Sequence, residues 1–414
     1  LVLVGAPANV SAKKANASAG KGRRNNEYFF LNQRLEIIDC PTLTATVSQV
    51  TFQGENPSHT PVSGLHSLAS AGVAASPFWL VVPTFNPGLA NWAQWLHALR
   101  TQQGQPDRVV VVDSGSTDGS LALTQQAVLA TTPDHPAFTL LHVQAAQFDH
   151  GGTRQWALDQ ALQAHPHSPP RVVVFMTQDA VLAHPDALAH LLQAFANPQV
   201  AAVYGRQLPK PQANWLEAHG RQFNYPDASR TVQLQDKDSL GLKVCFFSNA
   251  FGAYRLSALQ ALGGLPAGLP LGEDTFTAGK LLLSGQSLHY QANAAVYHSH
   301  HYNGLQDFQR MFDTGVFHAQ NPWLVQSFGR AEGEGWRLLR HQWAHLQWLA
   351  SGQATATATA TQGKPPSLLG GLWQMVFTNA VKLCGYKMGQ WHRLWPKSLN
   401  KRLSMYKSFW QPKA

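Results

Sequence analysis

The chain has 414 residues, 44% of them hydrophobic and 13% charged, which excludes a disordered or fibrous protein and fits an enzyme of two or three domains. Its net charge of +9 is uneven: residues 77–334 carry fourteen basic and eighteen acidic side chains, whereas eleven Lys and Arg and no Asp or Glu follow Glu334. An anionic partner is therefore expected only at the C-terminal segment, and no nucleic-acid partner is expected.

Residues 1–76, rich in Ala, Ser, Asn, Gly and Lys, read as a mostly flexible extension, with one short segment around Tyr28–Ile38 that could be ordered. The texture changes at Phe78, where FWLVVPTFN reads as a buried strand ending in turn residues. A helix follows with Leu89, Trp92, Trp95, Leu96 and Leu99 on one side. RVVVVDSGSTDGS is a second strand opening into a polar turn, with a helix from near Ser120. A third strand at 138–143 leads into a polar loop ending in His150-Gly151-Gly152, then a helix over TRQWALDQALQA. A fourth strand, RVVVFMTQDA at 171–180, ends in an acid. Continuous valine runs alternating with helices predict an α/β fold, a mostly parallel sheet covered on both faces. In such sheets ligands bind at the carboxyl ends of strands, where Thr84–Asn86, Asp113–Asp118 and Thr177–Asp179 converge.

Each candidate residue has two readings. Asp113 either caps its turn or accepts hydrogen bonds from a pyrimidine imide or a ribose hydroxyl; Asp118 reads as a helix cap. Asp179 either caps a turn or holds a divalent cation, Mg²⁺ or Mn²⁺, against a diphosphate leaving group. It stands as a single acid, because Thr177 occupies the place of a second. Arg154, at a helix start, suits phosphate or a surface ion pair. The adjacent Glu273 and Asp274 precede a helix expected from near Thr275. They either complement its dipole or work as a pair, with Asp274 as general base and Glu273 orienting the acceptor or the base. His298 and His300 are two apart in VYHSHHYN and share a side of an extended segment, where they could join Asp179 on a metal or touch phosphate.

Past residue 330 the chain reads as a basic, Trp-rich helical extension (331–414), holding seven of the thirteen tryptophans, with a linker near 351–366 at the ATATATAT tract. Residues 336–350 look helical. Residues 368–389 show a helical stripe through Leu372, Val376, Ala380 and Leu383, and residues 368–410 are expected either to pack as a helical subdomain or to touch a membrane surface. No apolar run is long enough to span a bilayer, and the opening LVLVGAPA is a poor secretion signal. Cys40, Cys245 and Cys384 form neither a metal pair nor a disulfide framework, so a reducing cytoplasm is the default.

In order, PTFN, VVDSGSTDG, FDHGGTR, VVFMTQDA and LGEDT resemble family 2 glycosyltransferases of GT-A fold. FDHGGTR, TQDA, VYHSHHY and DTGVFH narrow the resemblance to bacterial rhamnosyltransferases that build O-antigen and related polysaccharides, and NAVKLCGYKMGQ with LSMYKSFW is similar to their C-terminal extension. The resemblance covers roughly residues 77–410, with a GT-A domain over 77–330. It implies an inverting transfer of L-rhamnose from dTDP-L-rhamnose to a lipid-linked saccharide, by an enzyme lying peripherally on the inner membrane face. It also implies that Pro83, Thr84, Asn86, Asp113, Arg154 and Gln178 bind the nucleotide sugar. Asp179 would match the last acid of the metal triplet and Asp274 the catalytic base. A different donor such as a UDP-hexose is the alternative. A pyrophosphorylase is disfavoured because PTFNPG lacks a basic, Gly-rich phosphate loop, a dehydrogenase because no G-x-G-x-x-G follows the first strand, and a non-catalytic binding protein because Asp179 and the Glu273–Asp274 pair stand in place.

Overall fold

All seven residues of β1 (Phe78–Thr84) are buried, because helices cover both of its faces. The computed structural model describes residues 77–130, 136–329, 332–351 and 366–411. The extension read over 1–76 and most of the expected linker lie outside them. After β1 come α1 (Leu89–Arg100), β2 (Arg108–Asp113), α2 (Ser120–Leu129), β3 (Ala137–His142), α3 (His150–Ala164) and β4 (Val172–Met176). The chain continues through β5 (Val181–Leu182), α4 (Ala187–Gln193), β6 (Val200–Leu208), α5 (Trp215–Asn224) and β7 (Arg230–Val232). Next are α6 (Lys237–Leu240), β8 (Phe251–Arg255), α7 (Leu256–Ala261), α8 (Glu273–Leu283) and β9 (Ser287–Tyr297).

Alternation along the strands divides the core into two layers. Leu80, Val82, Val109, Val111 and Val174 meet Trp92, Trp95 and Leu99 of α1 and Leu188 of α4 on one face. Val81, Val110, Val112, Val173 and Phe175 meet Leu158 of α3 and Leu281 of α8 on the other. Each side chain of this size contributes about 1.5–3 kcal/mol by leaving water. Two faces, each covered by helices, are why the sequence reads as unbroken valine runs.

The sheet runs β3-β2-β1-β4-β8-β6-β9-β5, with β7 also on β9. The first four strands are parallel, as expected, and Thr84, Asp113 and His142 are aligned at their ends. Beyond β4 the sheet is mixed: β8 is antiparallel to both β4 and β6, and β9 is parallel to β6. Reversal has a consequence for position. The start of β8 lies at the same edge as the carboxyl end of β4, where the Thr177 N–H donates to the Ala250 carbonyl at 3.3 Å. The carboxyl ends of β6 and β9 arrive at that edge too.

The rest is helical: α9 (Gly304–Gln320), α10 (Pro322–Phe328), α11 (Glu332–Ala350), α12 (Leu368–Gln390) and α13 (Lys397–Leu403). The sequence stripe on α12 holds only at Leu372, which packs against the cluster of Trp215, Leu346, Leu349 and Met375. Val376 and Leu383 are solvent-exposed and Ala380 lies on the same outer side, while Gly371, Met375, Gly385 and Gly389 form the buried face. Glycines let α12 lie directly against α9: a Cβ on Gly385 would come 2.4 Å from the Phe308 carbonyl oxygen, one on Gly389 2.0 Å from that of Phe312, and one on Gly315 2.1 Å from that of Tyr386. Backbone-to-backbone contact leaves the apolar side chains facing outward, and a hydropathy pattern cannot register it. No helix among the described residues is long and apolar enough to cross a membrane. Gly389→Ala is expected to destabilise the protein by about 1–3 kcal/mol through overpacking. Leu383→Ala should stay within about 0.5 kcal/mol of wild type. Paired urea melts check both.

Candidate functional site

A cleft of about 1380 Å³ opens at the shared edge of the sheet, between the strand ends and the C-terminal helices. Its floor begins at Pro83 and Thr84. Behind them stands Asp113, 2% exposed, accepting from the Thr84 hydroxyl (3.1 Å) and from the Gly115 and Ser116 N–H groups (2.8 and 2.9 Å). Of its two sequence readings, the turn cap is the one these bonds fill. Asn86, at φ 45°, accepts from the Thr117 N–H at 2.7 Å, and Asp118 accepts from Gly88 and Ser120 N–H groups. Neither Asp113 nor Asn86 lines the cleft; both hold its rim loops in place. Gln178 does line it, and clamps the Phe85 backbone through both amide atoms, at 2.7 and 3.0 Å.

The FDHGGTR segment differs from its sequence reading, because His150, Gly151 and Gly152 open α3 rather than end a loop. Asp149 caps the helix, accepting from the Gly152 N–H at 2.7 Å, and also accepts from Gly268 at 2.7 Å. Gly151 permits the approach: a Cβ there would come 1.9 Å from the Pro266 carbonyl oxygen. One turn on, Arg154 is buried and its Nη1 donates to Glu273 Oε1 at 3.2 Å and to the His150 carbonyl at 2.7 Å. The expected alternatives were phosphate or a surface acid; the partner is a buried acid 119 residues away.

Glu273 is 5% exposed and begins α8, two residues earlier than expected. Asn249 Nδ2 also donates to its Oε1 at 3.2 Å, and Asn249 Oδ1 accepts from the Tyr254 hydroxyl at 2.9 Å. Burial raises the Glu273 pKa, but Arg154, His150 and Asn249 outweigh it and hold the group below its ordinary value. Asp274 has the opposite balance. Burial and the Glu273 charge push it up to about 7, against N–H donors from Thr275 (2.7 Å) and Asn249 (3.3 Å). A carboxyl group that titrates near neutrality can take a proton from a hydroxyl and release it again.

Asp179 meets both predicted histidines. His298 Nε2 lies 3.4 Å from Asp179 Oδ1 and His300 Nδ1 3.4 Å from Oδ2, with one ligand atom from each residue within 4.8 Å of the others. Gln207 Oε1 accepts from His298 Nδ1 at 2.8 Å, so the proton of the neutral ring sits there and Nε2 carries a lone pair. That buried Nε2 has no hydrogen-bond partner. Burial lowers both imidazole pKa values, His300 to about 3, so both rings are neutral near pH 7 and the His298 lone pair faces the carboxylate. Such a set fits a divalent cation, and Gln207 supplies the orienting bond that metal-bound histidines usually have.

Three groups were missed. Asn249 carried no signal beyond an ordinary Asn ahead of a strand. Arg310 of α9 reaches the cleft with its guanidinium 6.0 Å from the Tyr302 ring and within electrostatic range of Tyr406 and Asp274. Tyr406 is held by Asp313, which accepts from the Met405 and Tyr406 N–H groups at 2.9 and 3.2 Å, so the C-terminal segment closes the cleft wall. A helical Arg between Gln309 and Met311 looks like any surface cation in sequence.

The family model for Glycosyl transferase family 2 matches residues 79–263. Over 333 residues the chain is 39% identical to the O-antigen chain rhamnosyltransferase WbaN of Salmonella anatum, spanning 80% of this chain and 95% of that protein. It is also 39% identical over 331 residues to the O-antigen chain rhamnosyltransferase RfbN of Salmonella typhimurium, with the same shares. Among solved structures it resembles the mannosyltransferase PcManGT from Pyrobaculum calidifontis in complex with GDP-Man and Mn²⁺. The TM-score is 0.51 at 20% identity, over 78% of this chain and 89% of that one, a likeness of fold alone. Matched to relatives this similar over nearly their whole length, and with an α/β core of GT-A type, the chain belongs to glycosyltransferase family 2.

Proposed function

We propose that the protein transfers L-rhamnose from dTDP-L-rhamnose, with inversion, to a hydroxyl of a lipid-linked saccharide during O-antigen-like polysaccharide synthesis. The observation that carries the reaction type is Asp274, half-buried and poised near neutrality in the same cleft as Asp179, His298 and His300. The 39% identity to two O-antigen chain rhamnosyltransferases supports the choice of donor.

In this reading Asp274 takes the acceptor proton as the acceptor oxygen bonds to the anomeric carbon, and the bond from that carbon to the diphosphate breaks on the opposite face. Glu273, fixed by Arg154 and Asn249, keeps Asp274 basic and orients it. Pro83, Thr84 and Gln178 line the nucleotide end, backed by Asn86 and Asp113, and Arg154 and Arg310 bring positive charge toward the diphosphate. Asp179, His298 and His300 would hold a divalent cation whose charge offsets that of the departing diphosphate. A set with two imidazole nitrogens suits Mn²⁺ better than Mg²⁺, which prefers oxygen ligands. The outward Leu369, Trp373, Val376 and Leu383 of α12, with the cations that follow them, support peripheral contact with the anionic inner membrane face.

Donor consumption with extracted lipid-linked acceptors tests the reading. dTDP should be released from dTDP-L-rhamnose and not from UDP- or GDP-hexoses, faster with Mn²⁺ than with Mg²⁺, and release should stop with chelator or in His298→Ala. Release of UDP from a UDP-hexose instead would discard the rhamnosyl donor, and full activity in chelator would discard the metal. Asp274→Asn should lower kcat about 10²–10⁴-fold while nucleotide affinity stays within a few fold. Unchanged turnover would remove Asp274 as the base.

A further inference from the structure

A second cluster stands at the far end of the β5–β9 pair. Val181 and Leu182 pair with Tyr297 and Val296, so Asp179 and His298 flank one end of this ladder. Past the other end, where the Ala183 N–H donates to the Ala295 carbonyl, come His184, Asp186 and His190. We propose that His184, Asp186 and His190 form a second metal site, one that takes a borderline transition-metal ion of the Zn²⁺ class and ties α4 to the edge of the sheet.

The argument rests on which atoms face each other. His190 Nδ1 lies 3.2 Å from the Asn293 carbonyl oxygen, which can only accept, so that nitrogen carries a proton. In the neutral ring Nε2 then presents a lone pair, and it points at Asp186 Oδ2, 3.6 Å away. Two acceptors face each other, an arrangement that a cation or a second imidazole proton would bridge. The other carboxylate oxygen, Oδ1, lies 2.5 Å from His184 Nδ1. One atom from each of the three residues lies within 4.8 Å of the others.

The spacing suits ligation. Asp186 and His190 are one turn apart at the start of α4, and Pro185 stiffens the link to His184. Two imidazoles and a carboxylate are a donor set that Zn²⁺ accepts, leaving a fourth position to water. The Asn293 carbonyl aims His190 as an outer-shell partner aims a metal-bound imidazole. All three side chains are partly exposed, between 25% and 41%, so an ion reaches them from bulk water. The site is separate from the cleft, whose lining includes none of the three residues.

The test is equilibrium dialysis of the full chain against micromolar Zn²⁺ in excess Mg²⁺ near pH 7.5. Wild type should bind one equivalent more than either His190→Ala or Asp186→Asn, and His298→Ala should keep that equivalent. Asp186→Asn preserves shape and is the reference if His190→Ala fails to fold. Zn²⁺ should also raise the Tm of His298→Ala, and should leave the Tm of the double variant His298→Ala with Asp186→Asn unchanged. Equal stoichiometry in wild type, His190→Ala and Asp186→Asn would overturn the proposal and leave an imidazolium–carboxylate pair in its place.

Discussion

The Arg154–Glu273 ion pair is the contact through which the cleft is assembled. It joins the second turn of α3 to the first turn of α8 across 119 residues, with side chains 3% and 7% exposed. Ion pairs this deep demand complete partners, and removing one side is expected to cost about 3–5 kcal/mol. Here Asn249 donates to Glu273 and the His150 carbonyl accepts from Arg154, while the buried Arg154 Nε has no partner among the described residues. With Glu273 held ionised, Asp274 sits beside a fixed negative charge inside a buried cleft. Its neutral form is favoured until about pH 7, which suits a base that must also let its proton go.

Sheet topology decides what else reaches that cleft. Four parallel strands deliver Thr84 and Gln178 at their carboxyl ends, as any doubly wound sheet does. Reversing β8 brings Asn249, which precedes a strand, to the same edge. β6 and β9 run with the first four, so Gln207, His298 and His300 arrive there as well. Gln207 then links two systems. It accepts from His298 and from Arg221, and it donates to Ser248, next to Asn249.

Much of this was legible because local rules and tertiary demands agreed. Valine runs between helices announced a sheet buried on both faces, and the strand-end clusters announced the crevice. Glu273 and Asp274, Asp179, and the His298–His300 alternation could be picked out because each combined a reactive side chain with a place at an element end. The failures share another cause. Arg154 could not be matched to Glu273, nor Asn249 to either, because no periodicity connects residues so far apart in the chain. His150–Gly152 read as a loop since glycine disfavours helix, yet here glycine is required by the Pro266 carbonyl. On α12 the same residue type misled in the other direction, because Gly371, Gly385 and Gly389 mark the buried face while Leu369, Trp373 and Leu383 lie on the outer one.

The central claim is that Glu273, kept charged by Arg154, adds to burial in raising the basicity of Asp274. The pH dependence of kcat/KM in wild type and in Glu273→Gln tests it most directly. A base works only when deprotonated, so wild-type activity should fall on the acid side with a midpoint near 7. Removing the Glu273 charge, and freeing that of Arg154 to act on Asp274, should move the midpoint toward the ordinary carboxylate range, whatever happens to the maximal rate. A midpoint that stays in place in Glu273→Gln, or a wild-type midpoint already near 4, would contradict the account.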